Sequence, residues 1–300
     1  MENELTQEID LFLQYLAQEK RLSIHTVTNY RRDLKQLTLF CAQQSLTSWS
    51  EIKSKNIRQF ISQLHRQGLA GRSIQRALSA VRSFYRFLIR EGLTENNPAL
   101  AVQAPKTEKR LPSTLDVDQM KSLLEHTNQD TFIACRDRAI MELFYSSGLR
   151  LAELAALNLR DVDFADSLVY VTGKGNKSRV VPIGNQAITS LKNWLTKRDE
   201  LDVIEQPAIF ITQQGRRLGV RSIQKRLSYW GKKQGISDQV HPHRLRHAFA
   251  SHMLEASGDL RAVQELLGHA DISTTQIYTH VDFQHLAKVY DKAHPRARKK

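Results

Sequence analysis

Across the first 92 residues apolar side chains recur at steps of three and four, and no other feature constrains the fold of this chain as strongly. Ile9, Phe12, Leu13 and Leu16 mark a helix from about Thr6 to Lys20. Val27, Tyr30, Leu34, Leu37 and Phe40 mark a second, for which Ser23 is a good N-cap. A third carries Ile57, Phe60, Ile61 and Leu64 and stops near Gly68; a fourth begins after Gly71 and ends near Gly92. Helices with one apolar face each bury it against one another, so an all-α four-helix unit is expected here.

The fourth helix has two faces. Ile74, Leu78, Val81, Tyr85 and Leu88 share one, while Arg72, Arg76, Arg82, Arg86 and Arg90 fall on the other, within an arc of roughly 120°. No carboxylate on this helix answers these five cations until Glu91. Such a face is either simply solvated or laid against an anion, and repulsion between like charges at i, i+4 favours the anion. Lys plus Arg number 44 against 31 Asp plus Glu, a formal charge of +13, which favours polyanionic partners, nucleic acid or an anionic membrane surface. A membrane surface is the weaker option, since no run of about 18 apolar residues could span one. The acidic MENELTQEID start lacks the pattern of a signal peptide. Cys41 and Cys135 sit in helical stretches and read as buried thiols of a reducing compartment, so a cytoplasmic protein is expected.

At 300 residues the chain exceeds one typical domain. Pro98, Pro105 and Pro112 punctuate an aperiodic stretch, which gives an N-terminal domain over 1–103, a linker over 104–112 and a second domain over 113–300. In the second domain helices are expected from about Thr114 or Asp116 to His126, onward to Ser147 with Gly148 as the stop, and around Ala152–Leu157. Strand-like runs follow at Leu168–Thr172, Arg179–Ile183 and Ile209–Ile211, the first two forming a hairpin around GKGNK. Helices return at Asn185–Arg198, Val220–Gln234, His243–Glu255, Leu260–Leu267 and Asp282–Ala293. The fold class is mainly α with a small antiparallel sheet.

Four segments could carry chemistry. In SGLRLAEL, Arg150 follows a helix-ending glycine, a place where an arginine is often ordinary surface. In TGKGNKSR, Lys174 sits between glycines at a hairpin tip; the spacing of a phosphate-binding P-loop is absent, and the lysine is either solvated or brought close to a substrate. In HPHRLRH, Pro242 suits a first helical turn, and His243 and Arg246 share a face that would suit a phosphate at a helix N-terminus. The rival there is a metal set of His241, His243, His247 and His252, disfavoured by the two arginines within it and by the lack of Cys or carboxylate ligands. In LGHADISTTQIYTH, His269 follows a helix-stopping glycine and Tyr278 lies in a polar run, where a lone tyrosine is commonly half-buried structure.

In combination, SSGLRLAEL, GKGNKSR, HPHRLRHAFASHML and LLGHADISTTQIYTH resemble the tyrosine recombinases, or lambda-integrase family, over nearly the whole length. They are most similar to the bacterial Xer type, and the tail VDFQHLAKVYDKAHPRA sits closer to one branch of the Xer pair than to the other. The resemblance implies a C-shaped clamp around DNA, with the N-terminal unit as the core-binding domain. It implies Tyr278 as the nucleophile on a DNA phosphodiester, His243 as general base and Lys174 as general acid. Arg150, Arg246 and His269 would hold the phosphate. No cofactor and no metal is implied. The partners would be double-stranded DNA at a specific recombination site and a related, XerD-like recombinase, in a cyclic heterotetramer on two duplexes. Control by a cell-division DNA translocase is a further implication. Phe283, Leu286, Val289 and Tyr290 would give the last helix an apolar face that docks either on a neighbouring protomer or on its own domain. The function implied is resolution of chromosome and plasmid dimers by strand cleavage and rejoining. The alternatives are a phage or transposon integrase, a type IB topoisomerase, and a DNA-binding protein that never cuts.

Overall fold

The structure, a computed structural model, describes residues 2–20, 22–105, 114–125, 131–172, 178–201, 206–236, 240–268, 289–290 and 292–297. The chain divides into two compact units, Met1–Arg110 and Leu111–Lys300. Among the described residues no helix is long and apolar enough to cross a membrane.

The first unit is built from α1 (Glu2–Gln18), α2 (Ile24–Gln43), α3 (Ser54–Arg66) and α4 (Gly71–Arg90), with a 3-10 turn at Trp49–Glu51. Ser23 starts α2 as expected, its Oγ accepting the Thr26 N–H. The spaced apolar residues of all four helices meet in one core, where Phe12 lies 5.4 Å from Phe84 and Trp49 packs edge-on to Phe84 at 4.9 Å.

The arginine face of α4 departs from the sequence expectation of five unanswered cations. Arg76 donates through Nε and Nη2 to both oxygens of Asp33, at 2.8 and 2.9 Å, and Asp33 is buried on α2. Arg82 donates to the carbonyls of Ala99 and Val102. Arg90 pairs with Glu91 and lies over the Tyr15 ring at 3.9 Å. Arg76 and Arg82 are thus held by the fold, by partners on other elements that a single helix period does not show, whereas Arg90 pairs at the surface with the neighbouring Glu91 that the sequence already offered. Arg72, Arg86 and Arg90 remain exposed.

The second unit holds α5 (Val117–Glu125), α6 (Phe132–Ser147), α7 (Leu151–Ala156), α8 (Asn185–Asp199), α9 (Val220–Lys233), α10 (Pro242–Ser257) and α11 (Leu260–Leu267). Its sheet is antiparallel, in the order β1 (Val162–Asp163), β2 (Leu168–Thr172), β3 (Ser178–Pro182). The register pairs Val169 with Val181 and Val171 with Arg179. The expected strand at Ile209–Ile211 is instead a buried irregular segment touching its neighbours through single bridges, Asn158 with Ala208 and Ile211 with Arg217. Its apolar run reports burial without a ladder.

The central element is α6, buried at nearly every position from Ala134 to Ser147. Its two carboxylates are answered internally: Asp137 accepts from Arg136, Arg226 and the Trp230 indole, and Glu142 accepts from Arg296 at 2.6 Å. Gly148 ends the helix at φ +56°, and a Cβ there would overlap the Phe249 ring, so both backbone and packing require glycine.

Residues 282–288 and 291 of the expected last helix lie outside the described residues, and Phe283 and Leu286 with them. Val289 and Tyr290 pack on their own unit, beside Phe249, Met253 and Leu266. The Tyr290 hydroxyl and Ser146 Oγ are 2.7 Å apart, and Ser146 also accepts the Gly184 N–H. His294 is fully buried; its Nε2–H donates to the Tyr145 carbonyl at 3.0 Å, and its Nδ1 accepts the Arg296 N–H at 3.1 Å. Only a neutral ring serves both partners. Burial, with the nearby His252 and Arg296, pushes this imidazole from 6.5 down to about 3, against the opposing bond to Tyr145. The unfolded chain binds this proton near pH 6.5 and the native chain does not. The contribution is therefore intact above that pH and is lost as pH falls, at about 1.4 kcal/mol per unit. Denaturant titrations at pH 7 and pH 5 should show the wild type losing roughly 2 kcal/mol more than His294→Gln over that interval. Equal losses would assign the acid sensitivity elsewhere.

Candidate active site

Arg150 stands at the turn between Gly148 and α7, and its backbone N–H donates to Glu153 Oε2 at 2.8 Å. The same carboxylate takes the Arg150 side chain, Nη1 to Oε1 at 2.9 Å. From β3, Arg179 adds two parallel bonds, 2.8 Å to Oε1 and 2.9 Å to Oε2. Glu153 is buried, which alone would raise its pKa, but the bonds from Arg179 and Arg150 hold it down at about 2. It stays ionised at any working pH.

The C-terminal end of α11 ties this cluster to α10. Arg179 donates to the Leu266 carbonyl at 3.4 Å, Arg246 to that of Leu267 at 2.7 Å, and Arg150 to that of Gly268 at 2.9 Å. Three successive carbonyls at a helix end, where the dipole is negative, thus take one guanidinium each. Arg246 also donates to the Gly148 carbonyl. Gly268 has φ +64°, and a Cβ there would stand 3.0 Å from the Arg179 side chain. Burial, together with Arg150 and Arg179, pushes Arg246 down to about 10 in spite of Glu153, which leaves it charged at neutral pH. Three guanidiniums face one carboxylate, so the cluster carries two uncompensated positive charges and suits a dianionic or phosphodiester group.

His243 is the exposed residue of the otherwise buried first turn of α10, one turn ahead of Arg246. His241 caps that helix, its Nδ1 accepting the Arg244 N–H at 3.2 Å, and Pro242 holds the first position as expected. The rival four-histidine set is not assembled. His252 is buried against the Tyr145 hydroxyl at 2.9 Å, and His247 sits 3.2 Å from Ser251 Oγ. Of the expected site residues, Arg150 and Arg246 are thus brought to one corner, with His243 on the helix that carries Arg246. Lys174, His269 and Tyr278 lie outside the described residues.

Two members of the cluster were not singled out in the sequence. Glu153 could have been, since an acid three residues after a helix-starting residue is a recognised N-terminal pattern. Arg179 offered only a charged residue inside a short apolar strand.

Residues 113–285 match the family model described as the phage integrase family, and residues 9–92 match the phage integrase N-terminal SAM-like domain. A curated protein named tyrosine recombinase XerC from Pseudomonas syringae pv. tomato is 51% identical over 296 residues, covering 99% of this chain and 98% of that one. Another of the same name from Stutzerimonas stutzeri is 52% identical, covering 98% and 97%. Among solved structures, the XerH site-specific recombinase bound to palindromic difH substrate superimposes with a TM-score of 0.71 at 22% identity, covering 91% of this chain and 81% of that one, a likeness of fold alone.

Proposed function

This chain belongs to the phage integrase family of tyrosine recombinases, enzymes that cleave and rejoin DNA, and from that premise we propose how its own residues perform the reaction. The observation that carries the reading is the cationic corner at the end of α11, where Arg150 and Arg246 converge one residue ahead of His269 in the chain.

The phenol of Tyr278 attacks the scissile phosphorus, and the bond to the 5′-oxygen breaks as the 3′-phosphotyrosyl bond forms. A phenol holds its proton up to a pKa of about 10, so a base is needed; His243 takes that proton. Lys174 gives one to the departing 5′-oxygen. Arg150, Arg246 and His269 hold the non-bridging oxygens and offset the charge that builds there in the transition state. Because the phosphotyrosine conserves the bond energy, a 5′-hydroxyl from a second duplex can reverse the step and rejoin strands with no further energy source.

The biological role we assign is resolution of chromosome and plasmid dimers in the cytoplasm. The chain would act with a related, XerD-like recombinase in a heterotetramer on two duplexes, under control of a cell-division DNA translocase. The support is the extent of identity to the XerC proteins. The test is strand exchange between two duplexes carrying a Xer-type site, with the partner recombinase present. Exchange bears the assignment out; relaxation of supercoils without exchange would make the chain a topoisomerase instead.

For the first unit, the proposed phosphate contacts on α4 centre on Arg72 and Arg86, which are exposed and face no carboxylate on α4, with exposed Arg90 contributing what its surface pairs with Glu91 and Glu19 leave over, and Arg76 and Arg82 what their internal partners leave over. Replacing Arg72 and Arg86 together by Gln should weaken DNA binding and lower the salt dependence of the binding constant by about two counterions. An unchanged slope in a salt titration would remove this face from the interface.

A further inference from the structure

We propose that Arg179 is a positioning residue of the active site, acting through Glu153 to orient Arg150 and to keep its charge available to the phosphate. The inference rests on the recombinase reading above. The side chain of Arg179 is 8% exposed and that of Arg150 is 45% exposed, so the two guanidiniums on the same carboxylate have different access to a ligand. Both terminal nitrogens of Arg179 are committed to Glu153, and its Nε to the Leu266 carbonyl. Arg150 gives Glu153 one terminal nitrogen and Gly268 the other, and keeps a solvent-facing side.

The electrostatics follow from counting. With Glu153 and Arg150 alone, the pair would be neutral and would offer a phosphate little. Arg179 supplies the charge that answers Glu153, and the Arg150 charge then remains in excess beside that of Arg246. Geometry points the same way. A carboxylate gripped by a planar fork on one side presents its remaining lone pairs in a fixed direction, which fixes the guanidinium of Arg150. Arg179 also lies in β3 five residues beyond Lys174, so the strand that leaves the general acid's hairpin is pinned to the residue that orients Arg150.

The test is single-turnover cleavage of a nicked suicide substrate, with DNA affinity and thermal unfolding measured on the same samples. Arg179→Gln should bind DNA within about threefold of wild type and cleave about 100-fold more slowly, in the range seen when an oxyanion donor is lost. Arg179→Lys, which keeps the charge without the fork, should fall between the two. The decisive comparison is Glu153→Gln with and without Arg179→Gln. If Arg179 works through Glu153, the second substitution adds no further loss once the carboxylate is gone, and the double variant cleaves at the rate of Glu153→Gln. This comparison also serves if Arg179→Gln alone does not fold, because the double variant leaves no buried carboxylate unpaired. Cleavage at the wild-type rate by Arg179→Gln, or a further drop when it is added to Glu153→Gln, would overturn the proposal. Failure of the wild type itself to form an adduct would instead count against the catalytic reading.

Discussion

Tyr278→Phe is expected to bind its recombination site with near wild-type affinity and to form no covalent adduct. The substitution removes one oxygen atom and little else. A ring of the same shape remains, and the cations that bind DNA are untouched. The loss should be complete, since without the phenol oxygen no phosphotyrosyl bond can form. The readout is a nicked substrate that traps the covalent intermediate, resolved on a denaturing gel beside the wild type. A surviving adduct would give the nucleophile to another residue. Tyr145 and Tyr290 are poor replacements, because both are buried with their hydroxyls engaged by His252 and Ser146. Tyr170 and Tyr229 are exposed and would be the next to replace.

The second large effect is on Arg246. Its replacement by Ala should slow cleavage by about 10²–10³-fold, the cost of losing one preorganised donor to a developing oxyanion. The change in stability is set by two opposing terms. The carbonyls of Gly148 and Leu267 lose a donor, a cost of about 1–3 kcal/mol for each one that water does not reach. Against that, a partly buried cation crowded by Arg150 and Arg179 is removed. Single-turnover cleavage together with a melting curve separates the two effects. A folded variant that cleaves within tenfold of wild type would sink the assignment of Arg246 to the phosphate.

What the sequence made legible was whatever is encoded locally. Ser23 announced the start of α2, Gly148 the end of α6 and Pro242 the first turn of α10, because caps and stops act within a few residues of themselves. The hairpin of β2 and β3 was readable from its turn, whereas β1 is two residues long and leaves no alternation to find. Contacts between distant elements were not readable. Asp33 lies 43 residues from Arg76, and nothing in the α4 pattern could show that it neutralises that position. The apolar run at Ile209–Ile211 carried the right composition for a strand, but composition records burial and not which backbone groups pair. The site divides in the same manner. Arg150, Arg246 and His243 were visible through motifs, while Arg179, which meets Glu153 across 26 residues, could be recognised only in three dimensions.

The anchoring of the tail has a kinetic consequence. Gly268 is fastened to Arg150 through its carbonyl, and Tyr290 is fastened to Ser146. Tyr278 falls ten residues after the first anchor and twelve before the second, so even a fully extended chain keeps it within about 36 Å of Gly268. A group joined covalently to the site over so short a contour can never be further from it than that contour, whatever the concentration of the protein. With Tyr278 as the proposed nucleophile, its encounter with a phosphodiester bound at the cationic corner of the same molecule is a first-order event, which does not wait on diffusion of one molecule to another.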